Sequence, residues 1–355
     1  MSDPRLVDAL VVGLGPAGAS AATGLARAGL SVIAVDRKAE AGHPVQCAEF
    51  VPAVIGTEVS DLGKVAVQPI TSMLTFVEGE APDELANFPG QIIDRRAFDA
   101  ALVAEAVGAG ADCRFGIKVN EIAPDGRVDL GEETVRPRLI IGADGPRSVV
   151  GAAIGRINRE LVETRQIRVG LHHPHNATDI FLSAEIAGGY GWLFPRGREA
   201  NLGLGVRPED RGQLKTLLEQ LHERLVEEGR VGTEALGHTG GPIPVGGMID
   251  PVGRLDATAV MLAGDAAGLT NPVTGAGINS ATVSGRLAAE FGADWLGGDK
   301  DALDDFAEEV RFLFGSALER AVTRRRHLLE TYHNGGPGAQ DLRDGWIAYP
   351  QYWAA

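Results

Sequence analysis

Short apolar runs separated by glycine-rich turns characterise the first and last parts of the chain. Residues 6–12 form one such run and residues 31–35 form another, and both predict buried strands. Between them, residues 19–28 carry small side chains compatible with a helix, and Gly29 is a typical residue after a helix C-terminus. The order of strand, helix and strand predicts a βαβ unit, the usual start of a parallel sheet.

The same kinds of segment recur after this unit. Apolar spacing predicts helices over residues 94–108, 275–291 and 301–332, and core strands over residues 139–141 and 259–263. The later strand and helix predict that the strand-and-helix pattern of the βαβ unit resumes near the end of the chain.

The middle of the chain has a different pattern. Residues 166–171, 179–182 and 201–206 are short alternating segments, which predict an antiparallel sheet, and residues 210–228 predict one helix. The predicted fold class is therefore α/β, with a Rossmann-type domain into which an antiparallel β-sheet domain is inserted.

Aromatic residues are concentrated in the last ten positions. Residues 346–355 hold two of the four Trp and two of the four Tyr, after a glycine-rich hinge at residues 334–338. We expect this tail to pack back onto its own chain. A lid and a contact with a partner are the alternatives.

Charge and cysteine usage exclude several classes of protein. The 355 residues carry a net charge of −15, so the chain lacks the basic field that nucleic-acid binding requires. Two cysteines, Cys47 and Cys113, are too few for a disulfide framework, which favours a cytoplasmic location. Glycines break the first apolar run, so we predict neither a signal peptide nor a transmembrane segment. Peripheral membrane contact stays open.

The histidines of residues 172–175 are close in sequence but have no companion Cys or paired carboxylate motif. Metal sites in proteins are usually built from such combined sets of ligands. We therefore predict no metal site.

A glycine motif follows the first strand directly. Gly13 permits a tight turn, Gly15 lets a pyrophosphate approach the backbone, and Gly18 allows close helix packing. Asp36 ends the next strand, where its carboxylate is suited to the hydroxyls of a ribose. The motif predicts dinucleotide binding, and the candidate residues around it are Gly13, Gly15, Pro16, Ala17, Gly18, Asp36 and Arg37.

Two later motifs make the chain resemble a family of flavoproteins. These are Gly142-Ala-Asp-Gly-x-x-Ser148 and the Gly264-Asp-Ala-Ala-Gly268 segment, which continues to Ile278. Together with the first motif, they resemble the group of aromatic hydroxylases, flavin halogenases and geranylgeranyl reductases. The resemblance implies FAD as the cofactor, with Asp265 holding its ribityl and pyrophosphate region and the backbone after Pro272 facing the flavin. The candidate cofactor residues implied here are Asp144, Gly145, Gly264, Asp265, Pro272, Gly275, Ala276, Gly277 and Ile278.

Two further segments are similar to the geranylgeranyl reductases within this group. One is Pro44-Val-Gln-Cys-Ala-Glu49, and the other is Tyr190-Gly-Trp-Leu-Phe-Pro195. The resemblance implies that Cys47 and Ala48 lie near the flavin and that Arg95 contacts FAD. It also implies that Tyr190 and Trp192 line the substrate cavity.

The resemblance thus implies an enzyme, an FAD-dependent oxidoreductase that saturates C=C bonds of a prenyl or related lipid. Cys47, Tyr190 and Trp192 are the candidate catalytic residues. Because no second G-x-G-x-x-G motif is present, electrons are expected from NAD(P)H bound transiently or from a reduced protein partner. We place the FAD-binding domain at residues 1–155 and 250–300, the substrate domain at 156–249, and a C-terminal helical segment with its aromatic tail at 301–355.

Two alternatives stay open on the sequence. The first is a flavin-dependent monooxygenase that hydroxylates an aromatic or polyketide-like substrate, or a residue of a partner protein. The second is a flavin-binding assembly protein without turnover, because no set of side chains in the sequence independently demands catalysis.

Overall fold

The computed structural model describes residues 3–53 and 62–354. In this part of the chain the strands are β1 (Arg5–Val12), β2 (Val32–Asp36), β3 (Phe50–Pro52), β4 (Ala66–Val77), β5 (Asp83–Ile93), β6 (Asp112–Phe115), β7 (Glu121–Ile122), β8 (Val128–Asp129), β9 (Thr134–Gly142), β10 (Leu161–Leu171), β11 (Ala177–Leu182), β12 (Gly191–Arg196), β13 (Glu199–Val206), β14 (Val231–Thr239), β15 (Pro242–Pro244), β16 (Val252–Leu255) and β17 (Thr258–Leu262). The helices are α1 (Pro16–Arg27), α2 (Leu62–Val65), α3 (Arg95–Ala109), α4 (Val149–Ala153), α5 (Leu214–Glu227), α6 (Ile278–Gly297), α7 (Ala302–Thr331), α8 (Ala339–Asp344) and α9 (Pro350–Trp353).

The first sheet has the order β16-β17-β9-β1-β2-β6. Strands β17, β9, β1, β2 and β6 are parallel, and β16 pairs with β17 in the antiparallel sense. Its central strands are apolar because helices cover both faces of a parallel sheet. Leu10, Ile140 and Val260 are fully buried. This sheet confirms the predicted βαβ unit and the predicted core strands at 139–141 and 259–263.

Helices α1 and α6 approach each other through glycine. A Cβ atom built on Gly285 would lie 2.1 Å from the carbonyl oxygen of Ala17, and one built on Gly24 would lie 2.5 Å from the Cβ of Ala289. These separations are shorter than side-chain contacts allow. The small residues of both helices therefore set the distance at which α1 and α6 pack.

The second sheet has the order β14-β10-β13-β12-β11-β4-β5-β3, with β15 paired to β10. Its pairs are antiparallel except for β4 with β11, which are parallel. Strands β3, β4 and β5 were not predicted from the sequence. They lie within residues 50–93, inside the range assigned to the FAD-binding domain, so both sheets draw on that range. The domain bounds themselves stay a prediction.

The two faces of the second sheet have different covers. On β12, the side chain of Leu193 belongs to an apolar cluster with Leu218 and Leu221 of α5. Trp192 faces the opposite side, in a cluster with Trp346. This alternation follows the two-residue period of a strand. The aromatic tail therefore packs back onto its own chain, as expected.

The predicted helices at residues 94–108, 275–291 and 301–332 are confirmed as α3, α6 and α7. The predicted helix at residues 210–228 begins as a 3₁₀ turn over Pro208–Gln213 and continues as α5. In the part of the chain that the structure describes, every helix is too short or too polar to cross a lipid bilayer.

The packing of α6 predicts opposite effects for two glycine substitutions in the same helix. Gly285→Ala places a methyl group against backbone atoms of Ala17, and we expect it to lower the free energy of unfolding by about 1–3 kcal/mol. Gly297→Ala meets open space and should leave that free energy unchanged or raise it by up to about 1 kcal/mol. Denaturant unfolding of both variants measures the difference. Equal stabilities would contradict the close contact.

Candidate FAD and substrate site

The first glycine motif forms a tight loop between β1 and α1. Gly13 has φ +97°, and a Cβ there would lie 2.3 Å from the carbonyl oxygen of Ala143. A Cβ on Gly18 would lie 1.8 Å from the carbonyl oxygen of Gly13. A Cβ on Gly15, by contrast, would meet nothing within 4 Å. The loop is therefore tightly packed at Gly13 and Gly18, whereas open space lies next to Gly15.

Asp36 and Asp144 both accept hydrogen bonds from backbone amides. Asp36 accepts hydrogen bonds from the N–H groups of Leu14 at 2.8 Å and Lys38 at 2.8 Å. Asp144 accepts hydrogen bonds from the Ser148 hydroxyl at 2.5 Å and the Val149 N–H at 2.7 Å, at the start of α4. Burial raises the pKa of Asp144, and these hydrogen bonds partly oppose that rise.

The remaining residues of these motifs occupy clear positions. Gly145 follows Asp144 with φ +85°, which favours glycine. Pro16 and Ala17 form the first turn of α1, and the Arg37 side chain is exposed.

Asp265 lies in a 3₁₀ turn between β17 and α6. Its Oδ1 accepts a hydrogen bond of 2.5 Å from the Thr270 hydroxyl, and its carbonyl accepts one of 2.8 Å from Asn158. Gly264 begins this turn with φ +60°, and its N–H donates to the Ser284 hydroxyl at 2.9 Å. Burial raises the pKa of Asp265, while Thr270 and the Arg95 charge lower it in part.

The loop after Pro272 uses some of its own amides. The Gly275 N–H donates to the Asn271 carbonyl at 2.9 Å, and the Ala276 N–H donates to the Thr274 hydroxyl at 3.3 Å. Helix α6 begins at Ile278 after Gly277, and the first amides of a helix have no acceptor within that helix. The amides best placed for a ligand are therefore those from Gly277 into α6.

These features fit a dinucleotide flavin. The open space at Gly15 faces the N-terminus of α1, where a phosphate is favoured by backbone N–H groups and the helix dipole. In the first turn of α6, the buried Oδ1 of Asn279 has no hydrogen-bond partner among the described residues. Buried polar atoms are nearly always satisfied, so this oxygen is suited to an N–H donor of a ligand.

Cys47 and Arg95 meet at the other side of this site. The Arg95 guanidinium donates to Asp99 at 2.7 Å, the Arg95 backbone N–H donates to the Glu49 carboxylate at 3.1 Å, and the Glu49 backbone N–H donates to the Cys47 sulfur at 3.2 Å. Burial lowers the pKa of Arg95, but Asp99 and Cys47 outweigh it and hold that pKa above its usual value. Arg95 also lies within electrostatic range of Asp265. The structure thus brings Cys47, Arg95 and Asp265 together from three distant parts of the chain.

A buried carboxylate that the sequence analysis gave no role fixes the Cys47 segment. Glu49 is 1% exposed and accepts a hydrogen bond of 3.1 Å from the Arg95 backbone N–H. Its other oxygen lies 3.3 Å from Arg168, 3.1 Å from Arg196, and 3.0 Å from the Asn201 amide nitrogen. The one signal available was that Glu49 closes the Cys-Ala-Glu motif, because a glutamate in an apolar setting needs partners.

Tyr190 and Trp192 have committed polar atoms. The Tyr190 hydroxyl donates to the Thr274 carbonyl at 2.5 Å, and the Trp192 indole N–H donates to the Gln166 side chain at 2.9 Å. Gln166 in turn donates to the Cys47 carbonyl at 3.1 Å. Burial and the nearby Cys47 thiol raise the pKa of Tyr190. Both aromatic residues therefore lie beside Cys47 while their polar atoms serve neighbouring groups.

The C-terminal tail closes this region. The Trp346 ring lies 4.8 Å from the Tyr190 ring between centroids, and Trp346 is 3% exposed. Val273 of the loop before α6 packs in the same apolar cluster as Trp346. Arg324 of α7 holds the Tyr352 carbonyl at 3.1 Å. The tail thus packs against both Tyr190 and the loop before α6.

The predicted site residues fall into two groups. Around the start of α6, the structure gathers Cys47, Ala48, Arg95, Tyr190, Trp192, Asp265, Pro272, Gly275, Ala276, Gly277 and Ile278. Around the loop between β1 and α1, it gathers Gly13, Gly15, Pro16, Ala17, Gly18, Asp36, Asp144, Gly145 and Gly264. Within residues 3–53 and 62–354, no cluster of three or more His, Cys, Asp or Glu residues is arranged to hold a metal ion.

Known proteins match the chain at several levels. The family model "geranylgeranyl reductase catalytic domain" matches residues 162–238. A curated relative, digeranylgeranylglycerophospholipid reductase 1 of Methanopyrus kandleri, is 35% identical over 342 residues, which cover 88% of this chain and 89% of the relative.

Two solved structures share the fold. One is a geranylgeranyl bacteriochlorophyll reductase-like protein of Thermoplasma acidophilum, with a TM-score of 0.82, 24% identity, and coverage of 98% of this chain and 92% of that chain. The other is PqsL of Pseudomonas aeruginosa, a probable FAD-dependent monooxygenase, with a TM-score of 0.72, 19% identity, and coverage of 95% and 98% respectively. Because the curated relative spans nearly all of both chains, this protein belongs to the geranylgeranyl reductase family of FAD-dependent oxidoreductases.

Proposed function

We propose that this chain binds FAD across the site described above and reduces carbon–carbon double bonds of a prenyl lipid. The observation that carries the proposal is the hydrogen-bonded link from Trp192 through Gln166 to the Cys47 carbonyl, beside Tyr190, whose hydroxyl donates to the Thr274 carbonyl in the loop before α6. The curated Methanopyrus relative is named for a lipid that carries geranylgeranyl chains, and we extend that substrate class to this chain.

Different groups of residues would hold different parts of the cofactor. The Gly13–Gly18 loop and the N-terminus of α1 would hold the pyrophosphate, and Asp36 has lone pairs left for a ribose hydroxyl. Asp265 would hold the ribityl region, and the amides from Gly277 onward would face the flavin. When bound and reduced, FAD would supply the hydride that one carbon of the double bond accepts.

The second carbon requires a proton, and Cys47 is the group we assign to give it. The Tyr190 hydroxyl already donates to the Thr274 carbonyl, and the Trp192 indole is not an acid. The Glu49 backbone N–H donates to the Cys47 sulfur at 3.2 Å, so it and the nearby Arg95 charge would stabilise the thiolate that remains after proton transfer. Proton return from solvent then restores the thiol.

The aromatic cover excludes water from this step. Tyr190, Trp192 and Trp346 form a packed set beside Cys47, and Trp192 and Trp346 are almost fully buried. Such a wall suits an isoprenoid chain, because apolar surface is favourably removed from water. It also strengthens the interaction of Arg95 with a thiolate, because the local dielectric is low.

The electron source belongs to the same proposal. Electrons reach the cofactor from NAD(P)H bound transiently or from a reduced protein partner. A direct test incubates the reduced, FAD-loaded protein anaerobically with a geranylgeranyl-chain glycerophospholipid and follows the lipid by mass spectrometry. We expect a gain of two hydrogens for each double bond reduced. Oxygen incorporation into the lipid or another substrate under air, without hydrogen gain, would contradict the proposal and favour a monooxygenase.

Replacing Asp265 should weaken FAD binding without unfolding the protein. Burial disfavours the carboxylate in the flavin-free protein, so Asp265→Ala should change the melting temperature of that form little. Loss of a charge-assisted hydrogen bond to the cofactor should raise the FAD dissociation constant about 10- to 100-fold. Fluorescence titration with FAD measures this. Asp301→Ala, at an exposed position before α7, is the matched control, and equal FAD affinity in both variants would refute the role of Asp265.

Two substitutions separate the proton donor from its neighbour. Cys47→Ala should lower the rate of double-bond reduction about 10²- to 10⁴-fold, the range for loss of a general acid, with FAD content unchanged. Tyr190→Phe removes only the hydrogen bond to Thr274, so it should lower FAD affinity while the rate with saturating FAD falls less than about tenfold. Single-turnover kinetics measure both rates. A larger loss for Tyr190→Phe than for Cys47→Ala would reassign the acid to Tyr190.

A further inference from the structure

A basic groove lies at the edge of the second sheet, outside the site described above. Its cavity of about 510 Å³ lies between the 3₁₀ turn before α5, strand β10 and the end of β14. The ionisable side chains that line it are Arg147, Glu163, Arg165, Arg211, Lys215 and His238. This local excess of cations stands out in a chain whose net charge is −15.

Two of these cations are unpaired. Glu163 is the one carboxylate in the lining, and it is paired with Arg147 at 2.5 Å. Lys215 has an exposed partner outside the lining, Glu219, at 3.6 Å. Among the described residues, the Arg165 and Arg211 side chains form no ion pair. Guanidinium groups left unpaired around one cavity create a positive potential that favours an anion there.

The groove shares a wall with the Cys47 segment. The Thr239 hydroxyl donates to the Val45 carbonyl at 2.6 Å, and the Gln46 amide donates to the Gly240 carbonyl at 2.7 Å. Thr239 and Gly240 both line the groove, and Gln46 directly precedes Cys47.

Strand β10 connects the two regions. Arg165 lines the groove, while the next residue, Gln166, turns to the opposite face and bonds the Cys47 carbonyl. Gly240 and Gly241 form the turn between β14 and β15, which both pair with β10. A ligand that bends around this small turn would have one end in the groove and the other beside Cys47.

We propose that the groove binds the phosphate or pyrophosphate group of a ligand that acts at the flavin site. This inference rests on the proposed function, because that function requires a prenyl lipid and an electron donor to reach the flavin. The phosphate of a prenyl glycerophospholipid and the phosphates of a nicotinamide dinucleotide offer the same chemistry. Arginine is well suited to both, because its planar fork can donate two hydrogen bonds to one phosphate.

Binding of inorganic pyrophosphate tests the groove without turnover. We expect calorimetric titration of the FAD-loaded protein to show pyrophosphate binding that weakens as salt concentration rises. The double variant Arg165→Gln/Arg211→Gln should bind pyrophosphate at least tenfold more weakly. The matched control is Arg311→Gln, an exposed arginine on α7, which should leave binding unchanged. If the double variant fails to fold, Arg211→Gln alone, at an exposed turn, makes the same measurement.

Steady-state kinetics then distinguish the two sources of phosphate. If the lipid headgroup occupies the groove, the double variant should raise KM for the prenyl phospholipid at least tenfold, with KM for the nicotinamide unchanged. If the dinucleotide occupies the groove, the double variant should raise KM for the nicotinamide at least tenfold, with KM for the prenyl phospholipid unchanged. An uncharged prenyl alcohol reduced with dithionite as the electron source should react equally well with both proteins.

The outcomes also separate this inference from the proposed function. Absence of salt-sensitive pyrophosphate binding to the unsubstituted protein, or equal binding by the double variant and the control, would overturn the groove assignment even if prenyl lipids are reduced. Pyrophosphate binding that requires Arg165 and Arg211, in a protein that reduces no prenyl substrate, would uphold the anion site and overturn the proposed function.

Discussion

The carboxylate of Glu49 holds together the two halves of the molecule at the point where the site is built. It accepts the backbone N–H of Arg95 at the start of α3, and it is paired with Arg168 and Arg196 of the second sheet. A buried carboxylate that loses one partner costs several kcal/mol, so this arrangement is strongly specified. It fixes the Cys47 segment between α3 and the second sheet, and the remaining geometry of the site depends on that placement.

The acidic residues of the nucleotide motifs serve the backbone first. Asp36 accepts hydrogen bonds from Leu14 of the Gly13–Gly18 loop and from Lys38, and Asp144 accepts them from Ser148 and Val149, so both turns are ordered before any ligand binds. Asp265 is different, because its carboxylate accepts one short hydrogen bond from Thr270 and its burial raises its pKa. A preformed loop with one poorly satisfied carboxylate is suited to a cofactor that supplies the missing hydrogen bonds.

The packing of Tyr190 and Trp192 likewise depends on their polar atoms being hydrogen-bonded. The hydrogen bonds of Tyr190 and Trp192 are spent on Thr274 and Gln166, which lock the rings without leaving polar groups toward the apolar side. Trp346 then covers Tyr190 from the C-terminal tail. These rings therefore form an apolar surface beside the Cys47 segment, whose carbonyl accepts a hydrogen bond from Gln166.

The sequence by itself determined the features that local patterns encode. The βαβ unit and the helices α3, α6 and α7 follow from hydrophobic periodicity, and the first glycine loop follows from the Gly13–Gly18 motif; FAD was implied by the resemblance of the motifs to a known family. The sequence did not predict β3, β4 and β5, which join the second sheet where β4 pairs with β11, about 100 positions later in the chain. Only the tertiary structure decided that Glu49 meets Arg168, 119 positions away, and that Trp346 covers Tyr190. Those contacts arise from burial of charge and apolar surface between distant segments, and no local spacing records them.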